Sequence, residues 1–268
     1  MDLPIYDTHC HLLNLFQKDP AILERLAMEI TEKRLLQAID IGTELDTFPQ
    51  RYSLMRKCGL KWFSSGLYPS NAGKPTLHHD LIELEDHIKQ ELNQAKNGNF
   101  PRLVAIGEIG VDCHWNYGTV QDQTDLFLRQ IELANQYHLP IFVHNREADK
   151  HILEAFSICR PEYSGILHCF SSDYGFACKM LDFGLFVSFA GNLTYKNSHS
   201  IQEAALRLPL ERIVLETDSP YLSPSPLRGH TNYPSNVILI YKYLAELRAI
   251  TLENCCQQIE KNLQSIIT

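Results

Sequence analysis

The feature that most constrains the fold is a regular alternation of short apolar runs with longer amphipathic segments. The runs predict strands over 4–8, 35–42, 61–67, 102–108, 140–144, 165–169, 184–189 and 212–216. Helices are predicted over 21–33, 46–58, 78–96, 121–138, 148–159, 173–182, 198–207, 236–248 and 251–266. Strands that alternate with helices pair in parallel through crossover connections. Eight such strands predict an α/β fold, a single-domain (β/α)8 TIM barrel over residues 1–268. A doubly wound open sheet is the main alternative. The chain has no Gly-rich nucleotide fingerprint after the first strand, which argues against that alternative.

Composition narrows the class of protein. The 268 residues are 44% hydrophobic and 21% charged, which is typical of a globular protein with a sizeable core. The net charge of -8 argues against a broad basic surface for holding long nucleic acid. Eight cysteines without a Cys-x-x-Cys pair favour reduced thiols. The chain also begins without a secretory signal and has no apolar run of membrane-spanning length, so we expect a cytoplasmic protein with no membrane partner.

Side chains of metal-ligand type stand at the ends of five predicted strands. In the first strand, side chains two residues apart share a face, so the two histidines of its His-x-His can hold one ion. The carboxyl ends of barrel strands meet at one mouth, so these side chains should lie close together. Imidazole and carboxylate ligands suit borderline or hard divalent cations. The candidates are His9, His11, Glu108, His144, His168 and Asp218.

Each candidate also has an ordinary structural interpretation. A single histidine at a strand end is more often a hydrogen-bonded structural residue. Glu108 could be a satisfied buried carboxylate, and Asp218, which precedes Ser219 and Pro220, could be a turn residue. Together these interpretations fail, because several unpaired imidazoles and carboxylates buried at one mouth would each cost several kcal/mol. The set therefore predicts a metal site.

The same residues lie in motifs that resemble the TatD-related metal-dependent deoxyribonucleases, members of the amidohydrolase-like (β/α)8 superfamily. The resemblance runs in order from residue 5 to about residue 236. It rests on 7–11 (DTHCH), 107–112 (GEIGVD), 139–144 (LPIFVH), 168–170 (HCF), 215–220 (LETDSP) and the loop with Arg228, Gly229, Asn232 and Pro234.

The resemblance implies two divalent metal ions, such as Mg, Mn or Zn. One would be held by His9, His11 and Asp218, and the other by His144 and His168, with Glu108 as the bridge. It also implies a deoxyribonuclease of the 3′–5′ exonuclease type, which uses a metal-activated water at the end of a DNA strand. Asp218 and Glu108 are then the expected catalytic residues, with Asp218, or less readily Asp112, accepting the proton of the water.

The substrate side departs from the family pattern. Tyr68 stands where members usually carry a histidine, and the segment 113–117 also differs. Arg228 is the candidate for a bidentate phosphate contact, with Arg146 and Lys196 as weaker candidates. We also expect Tyr68 and Asp112 near the substrate.

Two other functions compete with the nuclease. The first is hydrolysis of another ester or amide on the same metal platform, since one scaffold hosts many reactions. Several such hydrolases bridge their metals with a carboxylated lysine, whereas Glu108 ends the fourth strand here, which favours the nuclease. The second is a metal-retaining binding protein without catalysis. No obligate protein partner is implied.

Overall fold

Eight parallel strands form one sheet in which each strand pairs with the next along the chain. The computed structural model describes residues 3–267. The strands pair in the order β1 to β8, and helices alternate with them, as the (β/α)8 prediction requires. The strands are β1 (Tyr6–Cys10), β2 (Gln37–Asp40), β3 (Trp62–Ser65), β4 (Arg102–Asp112), β5 (Ile141–Arg146), β6 (Gly165–Leu167), β7 (Phe186–Phe189) and β8 (Ile213–Leu215).

Within residues 3–267, ten α-helices pack around this sheet. Their buried faces carry the three- and four-residue spacing of apolar residues that predicted them. They are α1 (Leu12–Lys18), α2 (Ile22–Thr31), α3 (Phe48–Cys58), α4 (Leu77–Lys96), α5 (Val120–Tyr137), α6 (Asp149–Ile158), α7 (Tyr174–Asp182), α8 (His199–Arg207), α9 (Val237–Leu247) and α10 (Leu252–Ile267). Helix α1 was not predicted, because seven residues give too few turns for a periodic signal.

The apolar interior of the barrel is filled from its amino-terminal end. Side chains from alternate strand positions, such as Val104, Phe142 and Ile166, form this cluster. Leu263 and Ile266 of α10 belong to the same cluster, so the last helix covers this end. Polar groups are therefore concentrated at the opposite mouth, where the strands end.

Strand β4 is longer than predicted. It continues past residue 108 because it pairs with β5 as far as Arg146. The two strands approach closely at Gly110, where φ is +149° and a Cβ atom would lie 1.9 Å from the carbonyl oxygen of His144. Only glycine tolerates this backbone conformation and this contact. The extension places Asp112 at the barrel mouth beside the end of β5.

The Asp7 side chain makes several of the hydrogen bonds that close the seam between β1 and β8. The Asp7 carboxyl group accepts hydrogen bonds from Thr217 N at 2.8 Å, from Thr217 Oγ1 at 2.6 Å and from His9 N at 3.2 Å. The chain beyond β8 then pairs with β1, where His11 N donates to Ser219 O at 2.8 Å. Burial raises the pKa of Asp7 well above its ordinary value, although the donors of Thr217 and His9 oppose this.

Two further observations bear on the sequence expectations. Within residues 3–267, no helix combines the length and the apolar character needed to cross a bilayer. All eight cysteines lie in this part of the chain and are free thiols.

We predict that Asp7→Ala lowers the free energy of unfolding of the metal-free protein by about 3 kcal/mol, because it leaves buried donors of the seam without an acceptor. Asp7→Asn should cost clearly less, since an amide oxygen still accepts from the two backbone donors. Urea denaturation of chelator-treated protein measures both, with exposed Asp46→Ala as the control. Equal losses in the Ala and Asn variants would contradict this account of the seam.

Candidate metal centre

Six side chains from five strands or strand ends converge at the carboxyl-terminal mouth of the barrel. They are the six that the sequence singled out, and we call them the mouth cluster: His9, His11, Glu108, His144, His168 and Asp218. Four of them are at most 9% exposed, and His11 and Asp218 are half-buried toward the opening. The convergence follows from the fold, because parallel barrel strands all end at this face.

Glu108 lies between two groups of imidazoles. Its Oε1 atom is 2.9 Å from His144 Nδ1 and 2.8 Å from His168 Nε2. Its Oε2 atom is 3.5 Å from His9 Nε2 and 3.8 Å from His11 Nε2. One carboxylate thus presents one oxygen to each pair of histidines, which is the arrangement of a bridging ligand.

Asp218 completes the group on the β1 side. Its Oδ1 atom lies 3.6 Å from His9 Nε2 and 3.4 Å from His11 Nε2, and the two Nε2 atoms are 3.3 Å apart. The Asp218 backbone is left-handed, with φ of +54°, a conformation that aspartate adopts more readily than most residues. Its amide donates to His9 O at 3.0 Å, which fixes the carboxylate beside the first strand.

The spacing of these atoms fits divalent cations. Two ligand atoms at ~2.0–2.1 Å from a tetrahedral ion lie about 3.3 Å apart. The neighbouring donor atoms of the mouth cluster are 2.8–3.8 Å apart. Within residues 3–267, three sets of three have their donor atoms within 4.8 Å of one another, and two of them consist only of mouth-cluster residues: His9, His11 and Asp218, and Glu108, His144 and His168. The third set joins His9 and His168 to Glu216.

The short distances between the imidazoles and carboxylates of the mouth cluster also shift their pKa values. Burial opposes the charge on Glu108, but His168 and the hydrogen bonds of His144, His168 and His9 hold its pKa well below the ordinary value. Burial likewise opposes protonation of His168, but Glu108 and Glu216 raise its pKa well above the ordinary value. Without cations, His168 therefore holds a proton beside the ionised Glu108, whereas burial and His168 lower the pKa of His9. Metal ions would compete with protons for the same atoms.

Asp112 holds His144 in place. Its Oδ2 atom is 2.9 Å from His144 Nε2, and its Oδ1 atom accepts from the backbone amides of His114 and Trp115, both at 2.9 Å. The residue is fully buried, so its oxygens are already committed. The geometry makes Asp112 a positioning residue that leaves His144 Nδ1 facing Glu108. Asp112 also lines the cavity above the mouth cluster, which is compatible with the predicted place near the substrate.

Tyr68 extends this hydrogen-bonded arrangement toward the opening. Its hydroxyl lies 3.1 Å from His144 Nε2 and 3.4 Å from Asp112 Oδ2, and its ring meets Tyr117 edge-on. Burial and the nearby charges of Glu108 and Asp112 raise the pKa of Tyr68, so the phenol stays protonated. Tyr68 also lines the cavity above the mouth cluster, which is compatible with the predicted place near the substrate.

Glu216 is a positioning residue that the sequence reasoning missed. Its Oε1 atom lies 3.3 Å from His168 Nδ1 and accepts from the Cys169 amide at 2.7 Å. It is fully buried. This contact leaves His168 Nε2 turned toward Glu108. Such outer partners orient metal-binding histidines and fix their tautomer. Because Glu216 directly follows the last residue of β8, its position at a strand end could have indicated that it lies at the mouth.

A cavity of about 840 Å³ opens above the mouth cluster. Arg146 lines it, together with aromatic side chains from several loops. Arg228 is not among the lining residues; its guanidinium lies 4.4 Å above the Tyr195 ring, on an exposed loop. Lys196 is likewise exposed and outside the lining. The structure thus favours Arg146, the weaker sequence candidate, for a contact inside the cavity.

Comparison with known proteins gives consistent matches across the chain. The family described as TatD related DNase matches residues 6–268. An uncharacterized metal-dependent hydrolase of Buchnera aphidicola is 33% identical over 251 residues, which cover 92% of this chain and 93% of that protein. The uncharacterized metal-dependent hydrolase YcfH of Escherichia coli is 30% identical over 263 residues, with coverages of 96% and 93%.

A solved structure supports the same fold. YjjV, a TatD homologue from Escherichia coli, superposes with a TM-score of 0.85 at 24% sequence identity. The match covers 100% of this chain and 99% of that one. At this level of identity the similarity concerns the barrel architecture and not the activity.

We predict that Glu216→Ala weakens divalent-metal binding by about 10–100-fold, because His168 loses the partner that orients it. Glu216→Gln should lose less, since its amide oxygen still accepts from the Cys169 amide and from His168. Titration of chelator-treated protein with Zn²⁺ or Mn²⁺, followed by calorimetry, gives the affinity. Exposed Glu211→Gln, just before β8, is the matched control. Unaltered affinity in Glu216→Ala would show that the contact is only structural.

Proposed function

The chain belongs to the TatD-related DNase family of metal-dependent hydrolases, and we propose that it hydrolyses phosphodiester bonds of DNA at a strand end, as a 3′–5′ exonuclease. The family resemblance seen in the sequence is thereby confirmed. The observation that supports the proposal most strongly is the position of Glu108, whose two oxygens each face a separate pair of histidines. This arrangement suits two cations that act on one phosphodiester.

The mouth cluster would hold these cations in two groups. One cation would be held by His9, His11 and Asp218. The other would be held by His144 and His168, and Glu108 would bind both cations. Bound divalent ions supply Lewis-acid activation of the attacking water and neutralise charge that develops on the phosphoryl oxygens. The donor set admits Mg, Mn or Zn, since nitrogen and oxygen ligands are both present.

The protein groups then orient the reactants and move the proton. Asp218 is half-buried at the opening, and although burial opposes its charge, His11, His9 and His168 lower the pKa of Asp218. Its carboxylate is thus ionised at neutral pH and available to accept the proton of the attacking water. Arg146 lines the cavity and is placed to contact a phosphate group.

The shape and charge of the protein favour a strand end over a long duplex. The cavity has the size of a small-ligand pocket and not of a groove. The net charge of -8 gives little general attraction for polyphosphate outside the site. Recognition would therefore depend on contacts with the few nucleotides that enter the cavity.

We predict that chelation abolishes hydrolysis of single-stranded DNA and that added Mg²⁺, Mn²⁺ or Zn²⁺ restores it. The double variant His9→Ala and His11→Ala should lose about a thousandfold or more in kcat, because several kcal/mol of charge stabilisation disappear with the cation. Release of 5′-mononucleotides from 3′-labelled oligonucleotides measures rate and polarity. Exposed His199→Ala is the matched control.

The competing functions give different results in the same experiment. DNA cleavage that survives thorough chelation, or that persists in the double variant, would contradict the metal mechanism. Metal-dependent turnover of lactones or cyclic amides with no cleavage of DNA would indicate the alternative hydrolase. Bound metal without turnover of any of these substrates would indicate a binding protein.

A further inference from the structure

Two of the few exposed large apolar side chains flank the candidate metal centre. Trp115 is 56% exposed and Tyr221 is 46% exposed, and both line the cavity. Other exposed apolar residues, such as Phe100 and Ile158, are absent from its lining. Ligand pockets are lined mostly by apolar and aromatic side chains, so two exposed rings at one cavity point to a ligand with an apolar face.

The two rings approach the cavity from opposite walls. Trp115 lies in the loop after β4, and Tyr221 in the loop after β8. In a barrel ordered β1 to β8, these strands are four apart and therefore face each other across the mouth. The mouth cluster lies between them, so a phosphate held there would have one ring on either side.

The backbone that carries each ring is hydrogen-bonded to a residue of the site. The Trp115 amide donates to Asp112 Oδ1 at 2.9 Å, and the Tyr221 amide donates to Asp218 O at 2.9 Å. The Tyr221 hydroxyl also accepts from Asn14 Nδ2 at 3.0 Å, and Lys18 Nζ lies 5.2 Å from the ring centroid. The backbone of both residues is therefore anchored beside the cluster, which lowers the ordering that ligand binding requires.

Resting on the proposed nuclease function, we propose that Trp115 and Tyr221 are base-stacking residues for the nucleotides on the two sides of the scissile phosphate. A nucleobase offers a flat apolar face to an aromatic ring whatever its identity, so this recognition tolerates sequence. A base must leave its own stack to reach either ring. The site therefore selects DNA ends whose terminal nucleotides are unpaired.

Binding can be followed without catalysis through tryptophan fluorescence. The chain has two tryptophans, and Trp62 stacks on Tyr6 where β1 and β3 begin, at the far end of the barrel. A phosphorothioate-linked oligodeoxythymidylate, which resists hydrolysis, should quench the emission of the protein in Mg²⁺ buffer. The quenching should persist in Trp62→Phe and disappear in Trp115→Phe. Quenching that survives in Trp115→Phe would overturn the proposal for this residue.

Kinetics on base-containing and abasic substrates separate stacking from a structural role. We expect Trp115→Ala and Tyr221→Ala to raise KM for single-stranded DNA about tenfold. With oligonucleotides whose two terminal nucleotides are abasic, the same variants should match the wild-type protein. Tyr221→Phe, which keeps the ring, should retain most of the activity. Phe100→Ala is the matched control, because Phe100 is 52% exposed and lies just before β4 at the opposite end.

The outcomes distinguish failure of this inference from failure of the nuclease proposal. Equal losses on base-containing and abasic substrates would overturn the stacking role and leave the nuclease function standing. An unchanged KM in both alanine variants would also overturn the stacking role without affecting the nuclease proposal. No cleavage of DNA by the wild-type protein in any divalent metal would instead remove the proposed function itself, whatever the variants do.

Discussion

Closure of the barrel at the β1–β8 seam is the interaction on which the rest of the site depends. Asp7 receives the amide and hydroxyl of Thr217 across this seam and the amide of His9 on its own strand. These bonds hold the end of the first strand against the chain that follows the last one. As a result His9 and His11 lie beside Asp218, although more than 200 residues separate them in the sequence.

Within that closed mouth, one carboxylate organises two sets of imidazoles. Glu108 presents a different oxygen to each pair of histidines. The orientation of the second pair is fixed from outside by buried acids, Asp112 behind His144 and Glu216 behind His168. Carboxylates that hydrogen-bond to ligand histidines in this way fix the direction of their donor atoms.

The sequence predicted the fold and the membership of the mouth cluster because both depend on simple rules. Alternating apolar runs indicate parallel strands, and the ends of those strands meet at one face. The positioning roles of Asp112 and Glu216 could not be predicted, because they depend on which histidine nitrogen each carboxylate contacts. The extension of β4 to Asp112 rests on the close approach at Gly110, which no periodicity reveals.

The conformations of the loops could not be predicted from the sequence either. Arg228 carries the charge that a phosphate contact requires, but the path of the loop after β8 places its guanidinium over Tyr195. Arg146 lines the cavity because β5 runs two residues beyond His144. Similarly, the exposed rings of Trp115 and Tyr221 become informative only when both are seen at the same cavity.

The metal content of the wild-type protein and of a Glu108 variant tests the central claim most directly. Protein loaded with Zn²⁺ or Mn²⁺ and then dialysed is analysed by mass spectrometry of the metal, with exposed Glu83→Ala as the control. The account predicts two equivalents in the wild-type protein and in the control, and at most one in Glu108→Ala, because both ions lose their shared ligand. Two retained equivalents in Glu108→Ala, or a single equivalent in the wild-type protein, would contradict the bridged pair.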